Sequence, residues 1–241
     1  MDRNGDLGRL LAEHRPDLII DAAGPFQGSG YQVPLVCARA AVPYLDLADA
    51  RAFVAGIGAL DAEARAAGVA IVAGASSVPA LSGAVARSLA DGLDAVRAVE
   101  IAISASNRAT GGASVAAAIL TSVGQPLRLW RGRRWTRGWG WQDLRRETFA
   151  IDGEAPLQGR WLALADVPDH DLMTAMLPGR PAVTFRAGTD MAWQTLGLWL
   201  LSWPVRWLRL GSLARLAAIV PALQRLARPF GSDRSAMTVR L

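Results

Sequence analysis

The first half of the chain alternates two hydrophobic periodicities. Segments with apolar residues every three or four positions are each followed by a short apolar run, and this happens four times. The runs are DLIIDAA, PYLDLAD, VAIVAGA and VRAVEIAISAS. Because the runs are apolar rather than alternating, they indicate parallel strands covered by helices on both faces. The pattern predicts a doubly wound parallel α/β domain over residues 1–106.

The pattern changes after residue 106. NRATGGASVAAAILTSVG indicates a loop and a helix, and LRLWRGRRWTRGW, RETFAID, RWLALAD and AVTFRAG indicate short strands around turns. Two apolar helical segments follow at 190–208 and 212–228, and the last residues have a strand pattern. Residues 107–241 are therefore predicted to form a second mixed α/β domain, rich in sheet, with apolar C-terminal helices.

Composition adds constraints on the chemistry. The chain of 241 residues has 26 basic and 21 acidic residues, a net charge of +5, and every basic residue is arginine. This small excess favours a coding bias over an acidic partner. The lack of lysine removes Schiff-base chemistry. Cys37 is the only cysteine, which excludes internal disulfides and cysteine-rich metal sites, and its helical context predicts a small core residue.

The N-terminal residues and the most apolar segment indicate where in the cell the protein is located. MDRNGDLGRLLAEHRPD is charged and lacks the apolar region of a signal peptide, so a cytoplasmic location is expected. MAWQTLGLWLLSWPVRWL is the most membrane-like stretch, but it contains Gln194, Pro204 and Arg206 and is shorter than the ~20 apolar residues that a bilayer requires. A buried or interfacial helix is indicated, and helices packed between domains are favoured over peripheral membrane contact.

Ligands of doubly wound sheets bind at the carboxyl ends of the strands. The residues that follow the four predicted strands are Ala23, Gly24, Pro25 and Phe26; Asp46 and Asp49; Gly74, Ser76, Ser77 and Pro79; and Ser104, Asn107 and Arg108. Gly24 allows close approach of a ligand to the backbone and Phe26 could cover a flat ring, although an ordinary strand-to-helix turn suits Gly-Pro equally well.

Other polar residues have both a functional and a structural interpretation. Asp46 could orient a substrate amine or exchange a proton, whereas Asp49 is better placed to cap the next helix. Ser76 and Ser77 precede Pro79 and fit a turn or cap better than a nucleophile. The two histidines, His14 and His170, lie in charged contexts that predict surface positions, and a metal site in PDHD is disfavoured.

The segment RLWRGRRWTRGWGWQDLRR, from Arg128 to Arg146, interleaves seven arginines with four tryptophans. Such a run could bind single-stranded nucleic acid through phosphate contacts and base stacking. A hairpin that turns near Gly132 and Arg133, with tryptophans packed on one face and arginines in water, explains the same pattern without a ligand. The hairpin is the favoured interpretation.

Several loops together resemble a known family. An A-G-P-[FY] loop, a Y-x-D-L strand end and a G-x-S-x-P loop occur here in the order AGPF, YLDL and GASSVP, and GWQDLRR and FGSDR occur later. This order resembles the saccharopine dehydrogenase-like NAD(P)-dependent oxidoreductases. The resemblance implies a Rossmann-like NAD(P)-binding domain, a second domain for substrate, and a final strand that returns toward the first domain.

The resemblance also implies roles for particular residues. Ala23, Gly24, Pro25 and Phe26 would border the nicotinamide half of NADP or NAD. A small-molecule substrate would lie near Asp46, Ser76, Ser77 and Arg108, with Asp46 orienting it or transferring a proton. The implied reaction is hydride transfer to or from a carbon–nitrogen or carbon–oxygen centre. The alternative is a non-catalytic protein that acts at a membrane surface or on nucleic acid through its Arg/Trp-rich segments.

Family members have a G-x-G-x-x-G loop that binds the pyrophosphate, and no such motif precedes Asp17. The interpretation is a partial Rossmann-like domain without its first βαβ unit, through truncation, a wrong start codon or gene decay. Losing several charge-assisted hydrogen bonds of ~1.5–3 kcal/mol each predicts weak cofactor binding or none. A submicromolar dissociation constant for NADPH would contradict this. A bare sheet edge also makes a homo-oligomer plausible.

Overall fold

A computed structural model describes residues 5–108, 113–150 and 152–241 of the chain. These residues form two compact units, which lie within residues 1–81 and within residues 82–241. Both units combine helices with sheet, so the α/β fold class predicted from the sequence is confirmed at this level.

The first unit is built on a three-stranded parallel sheet in the order β1-β2-β3. Its strands are β1 (Ile19–Asp21), β2 (Tyr44–Asp46) and β3 (Ile71–Val72). Its helices are α1 (Leu7–His14), α2 (Gln32–Arg39), α3 (Arg51–Gly56) and α4 (Asp61–Ala67). The helical pattern of ARAFVAGIGALDAEARAAG, residues 50–68, predicts one long helix, but the structure splits it by a 3-10 turn, Ile57–Leu60. The split lies next to Gly56, where the helix-forming tendency is lowest.

The sheet of the first unit is covered on one face. Leu7 and Leu11 of α1 and Val33 and Cys37 of α2 form a core with Tyr44. On the other face Ile20 is 62% exposed and Val72 is 45% exposed. The prediction that helices cover both faces is therefore wrong for the described residues. Side chains alternate between faces along a strand, and only one of the two sets meets the helices.

The second unit contains a five-stranded mixed sheet in the order β10-β4-β9-β8-β7 and a separate hairpin. β4 and β9 are parallel and the other pairs are antiparallel. The strands are β4 (Ala98–Ala105), β7 (Arg145–Phe149), β8 (Leu157–Leu164), β9 (Ala182–Thr189) and β10 (Ala236–Arg240). The hairpin joins β5 (Pro126–Arg131) to β6 (Arg134–Trp139).

The helices of the second unit are α5 (Ser82–Leu89), α6 (Ala113–Ser122), α7 (Asp169–Met176), α8 (Ala192–Trp207) and α9 (Val220–Ala227). The two apolar helical segments predicted from the sequence correspond to α8 and α9. α7 has no counterpart in the prediction, because its sequence DHDLMTAM begins with charged residues and shows little apolar periodicity.

The placement of β4 differs from the sequence prediction. The prediction ended the first domain at residue 106 and put this strand in the parallel sheet, whereas β4 lies in the five-stranded sheet and the units divide after residue 81. β9 pairs with all eight residues of β4, while β3 has only two residues to offer. The longer ladder satisfies more backbone hydrogen-bonding groups, which explains the choice of partner.

Candidate functional site

Two buried carboxylates lie at the carboxyl edge of the parallel sheet in the first unit. Asp21 is the last residue of β1 and Asp46 the last residue of β2, and the two are paired in register. Asp21 is 6% exposed and Asp46 is fully buried. Their side chains project toward the loops that follow the strands, where ligands of parallel sheets bind.

Asp46 connects two of these loops. Its Oδ1 accepts the backbone N–H of Ala48 at 2.9 Å and that of Gly74 at 2.8 Å. Its carbonyl oxygen accepts the N–H of Ala75 at 2.8 Å. Gly74 has φ +82°, and a Cβ there would lie 2.9 Å from Pro79, so only glycine fits. The loops after β2 and β3 are thus held together by one carboxylate.

Asp21 holds the remaining loop. Its Oδ1 accepts the N–H of Ala23 at 2.9 Å, and its Oδ2 accepts the hydroxyl of Tyr44 at 3.2 Å. Burial, together with the charges of Asp46 and Asp21, raises the pKa of Tyr44, so the phenol remains a hydrogen-bond donor at neutral pH. The three loops therefore start from a connected set of buried polar groups.

The four residues predicted to border the cofactor have different environments. Ala23 and Pro25 are exposed and Gly24 is half-buried. Phe26 is 4% exposed, and its ring centroid lies 5.2 Å from that of Phe53, in a core with Ala48. The surface that this loop offers to a ligand is therefore the backbone and small side chains near Ala23. The ring of Phe26 instead anchors the loop by packing against Phe53.

The other predicted residues are more scattered. Ser76 is half-buried, Ser77 is exposed, and the Ser76 carbonyl accepts the N–H of Leu81 at 3.1 Å. Arg108 is exposed and belongs to the second unit, where its N–H donates to the Ser106 hydroxyl at 3.0 Å. The structure thus gathers the loops of Ala23, Asp46 and Ser76 on one unit, and places Arg108 on the other.

The predicted capping role of Asp49 is wrong. The residue that precedes α3 is Ala50, and no side chain caps this helix. Asp49 instead accepts a hydrogen bond from the side-chain amide of Gln27 at 3.1 Å. This bond joins the loop after β1 to the loop after β2, so Asp49 also organises the carboxyl edge of the sheet.

A second polar cluster lies at the carboxyl ends of β4 and β9 in the second unit. Asp190 accepts the backbone N–H of Asn107 at 2.9 Å through Oδ1 and that of Ser232 through Oδ2. The Ser106 hydroxyl donates to the carbonyl of Ser232 at 2.6 Å. Gln194, in the first turn of α8, donates to the side chain of Asn107 at 2.8 Å. Asp190 therefore fixes two segments that are distant in sequence.

An open pocket of about 380 Å³ adjoins this cluster. It is lined mainly by polar and aromatic residues, among them Gln158, Arg160, Trp161, Asp190, Ser232 and Arg234. Arg234 binds Glu154 at 3.0 Å, whereas Arg160 has no ion pair or hydrogen bond from its guanidinium among the described residues. The charged side chains that line this open pocket are therefore Arg160, Arg234 and Asp190.

Asp21, Asp190 and Ser232 are not among the site residues predicted from the sequence. For Asp21 the sequence does contain a signal, because IID ends an apolar run on aspartate in the same way as YLD, which predicts Asp46. The pairing of Asp190 with Ser232 had none, since only the fold brings these two residues together.

The predicted surface position of His170 is wrong, while His14 is exposed as predicted. His170 lies in the first turn of α7 and is fully buried, with Nδ1 3.5 Å from Asp166 Oδ1. Its neighbour Asp169 is also fully buried and accepts a hydrogen bond from Ser82. Burial raises the pKa of Asp169. The cluster joins the first turn of α5 to the first turn of α7, and its polar residues are buried.

The predicted hairpin in the Arg/Trp segment is confirmed, with Gly132 and Arg133 at its turn. Trp130 and Trp135 face each other across the strands with centroids 5.4 Å apart. Arg128 stacks on Trp135 at 4.6 Å, and Arg180 stacks on Trp130 at 4.8 Å. These rings are therefore covered by arginines of the same chain, which reduces the face that a nucleic-acid base would need.

The chain gives no match to models of known protein families or to curated proteins. Within residues 5–108, 113–150 and 152–241, no cluster of three or more His, Cys, Asp or Glu side chains could bind a metal ion. In the same part of the chain, none of the helices has the length and apolar character needed to cross a membrane.

Proposed function

We propose that this chain is an NAD(P)-dependent oxidoreductase of the saccharopine dehydrogenase-like kind, with a Rossmann-like first unit. The observation that supports the proposal is the carboxyl edge of the parallel sheet, where buried Asp21 and Asp46 hold three loops in fixed positions. Loops fixed in this way at the ends of parallel strands suit the binding of a dinucleotide.

The residues present fit the nicotinamide side of such a cofactor. Ala23 and Pro25 expose small side chains and backbone at the end of β1, where a flat ring can approach. Among the residues that the structure describes, no comparable feature suits the phosphate side. The N-terminus of α1 is capped by the carboxylate of Asp6, which accepts the N–H of Arg9 at 3.0 Å and would repel a phosphate.

When bound, NADP or NAD would supply the hydride that is exchanged with a carbon–nitrogen or carbon–oxygen centre of a small substrate. The residues of this chain would orient the ring and exclude water from one side of it. Asp46 fits a positioning role, because its fully buried carboxylate accepts two backbone N–H groups and does not reach solvent. Ser76 and Ser77, on the loop after β3, are the side chains of this edge best placed to contact substrate.

The proposal can be tested by saturation-transfer-difference NMR of NADPH with the whole chain. We expect the dihydronicotinamide protons to receive more saturation than the adenine protons, because the described part of the chain offers a fitted surface to the nicotinamide side alone. The variant Ala23→Glu should reduce this transfer, since the added carboxylate is bulky and repels the cofactor phosphates.

The matched control is Ala66→Glu, which puts the same charge on an exposed position of α4. It should leave the transfer unchanged. Equal effects of the two substitutions, or equal saturation of the adenine protons, would argue against a nicotinamide site at Ala23. An assay of NADPH oxidation with a panel of imines and ketones would then identify the substrate class.

A further inference from the structure

α8 presents an apolar face to solvent along its whole length. Trp193, Leu200, Leu201 and Trp207 are 58%, 60%, 37% and 71% exposed, and Leu208, just beyond the helix, is 69% exposed. The exposed positions recur every three or four residues, so they form one stripe. We call this stripe the outer face of α8: Trp193, Gly197, Leu200, Leu201, Pro204 and Trp207.

The opposite face of α8 fixes this orientation. Thr195, Ser202 and Val205 are buried there. A Cβ added at Gly124 would lie 2.6 Å from the Ser202 carbonyl oxygen, and one added at Gly188 would lie 3.1 Å from Thr195 Oγ1. Such close contact accepts small side chains only. The bulky residues of the helix therefore cannot rotate inward, and α8, which the sequence predicted to be buried, has a solvent-exposed side.

The charged residues of the segment that contains α8 have a single sign. Residues 191–232 contain five arginines and neither aspartate nor glutamate. Arg209, Arg215 and Arg225 are exposed and make no ion pair with any described residue. Arg206 is half-buried, stacks on Trp139 at 4.4 Å and donates to Gln142 at 2.8 Å. The outer face of α8 is thus an apolar stripe in a segment that is positively charged and has no internal counter-charge.

We propose that the outer face of α8 docks in the plane of an anionic lipid bilayer. An exposed stripe of tryptophans and leucines suits the boundary between headgroups and acyl chains, where an in-plane helix inserts its apolar face, and the arginines match anionic headgroups. The helix is about 24 Å long, which suits a position on the surface rather than across the ~30 Å core. A symmetric contact with a second copy would bring two acid-free, arginine-containing segments together, which is electrostatically unfavourable.

The test is co-sedimentation of the full chain with vesicles. We expect binding to vesicles of equal parts phosphatidylcholine and phosphatidylglycerol, weaker binding to phosphatidylcholine alone, and a loss of binding as salt rises. Leu200→Glu should lower the partition coefficient for the anionic vesicles at least about tenfold, because it inserts a carboxylate into the apolar stripe. The matched control is Leu172→Glu on α7, also an exposed leucine, which should stay within about twofold of the wild type.

Two further measurements keep the test independent of folding. Circular dichroism should show the same helix content for both variants, and tryptophan fluorescence of the wild type should be quenched by vesicles with brominated acyl chains. Absence of binding to anionic vesicles, or equal effects of the two substitutions, would overturn the proposal. A concentration-dependent dimer that Leu200→Glu dissociates, without any vesicle binding, would also overturn the proposal. The same holds if the chain binds a single-stranded oligonucleotide and only Leu200→Glu abolishes that binding. The proposal does not depend on the cofactor site of the first unit.

Discussion

In both units a carboxylate at the end of a sheet holds loops by accepting backbone N–H groups, but the distances in sequence to its partners differ. In the first unit, Asp46 at the end of β2 accepts the N–H of Ala48, two residues later, and that of Gly74, 28 residues away. In the second unit, Asp190 after β9 accepts the N–H of Asn107, 83 residues away, and that of Ser232, 42 residues away. In both units a carboxylate replaces the missing backbone partners of loops at the end of a sheet.

Asp46 and Asp190 differ in how deeply they are buried and in how far along the chain their partners lie. Asp46 is closed off from solvent, and its partners come from neighbouring loops of one small sheet. Asp190 is half-buried, borders an open pocket, and joins segments from three parts of the unit. A buried local carboxylate therefore serves mainly the stability of its loops, whereas an accessible long-range one can both fix the chain and contact a ligand.

The largest effect is expected for Asp46→Ala. Removing the carboxylate leaves the buried N–H groups of Ala48 and Gly74 without an acceptor, which should cost about 3–4 kcal/mol of the free energy of unfolding of the first unit. Hydrogen exchange should show faster exchange of these amides while those of β4 and β9 are unchanged. Asp46→Asn is the control, because its amide oxygen can still accept both bonds; an equal loss in both variants would show that charge, not hydrogen bonding, matters.

A smaller effect is expected for Asp190→Ala, about 2 kcal/mol, since water can partly replace the lost acceptor at this half-buried position. Exchange should become faster at Asn107 and Ser232 together. The comparison fails if only one of the two amides responds, because the carboxylate would then not join the two segments.

The next effect tests the connection between the strand ends of the first unit. Tyr44→Phe removes the buried hydroxyl that donates to Asp21 Oδ2 at 3.2 Å and should cost about 1 kcal/mol. This loss can be measured by urea unfolding, monitored through hydrogen exchange of the Ala23 backbone amide. An unchanged midpoint would mean that Asp21 holds its loop without help from Tyr44.

The smallest effect is expected for Asp169→Asn, and it depends on pH. Because burial raises the pKa of Asp169 in the folded chain, this group stabilises the fold at pH values below its unfolded pKa and loses that contribution as pH rises through the folded pKa. Asparagine keeps an acceptor for Ser82 and does not ionise. The variant should therefore be more stable than the wild type in urea at pH 7, and the difference should shrink as the pH approaches 4; the opposite trend would contradict the assigned environment.

The local features of the fold were predictable from the sequence. The helix and strand pairs up to β3, the hairpin at Gly132 and the two apolar C-terminal helical segments all follow from short-range periodicity and turn residues. Asp46 was also recognised as a strand-end carboxylate, although its partners were not. A short apolar run followed by aspartate is enough to place such a residue at the edge of a sheet.

The features that could not be predicted from the sequence depend on residues that are far apart along the chain. The choice of β9 rather than β3 as the neighbour of β4, and the junction of Asp190 with Ser232, require a knowledge of which segments meet. His170 was misplaced for a related reason: its charged context predicts exposure, yet the packing of α7 buries the residue completely. The exposed side of α8 follows from close contact at Gly124 and Gly188, which no hydrophobicity pattern records.

The burial of Cys37 has a practical consequence. The residue is 2% exposed, and burial together with the charge of Asp21 raises its pKa to about 11, so almost no reactive thiolate exists in the folded chain. A thiol-specific reagent can modify this single cysteine only when α2 separates from α1 and β2. The labelling rate would therefore report how often the first unit opens locally. No engineered probe is needed, and the second unit contributes no signal because it has no cysteine.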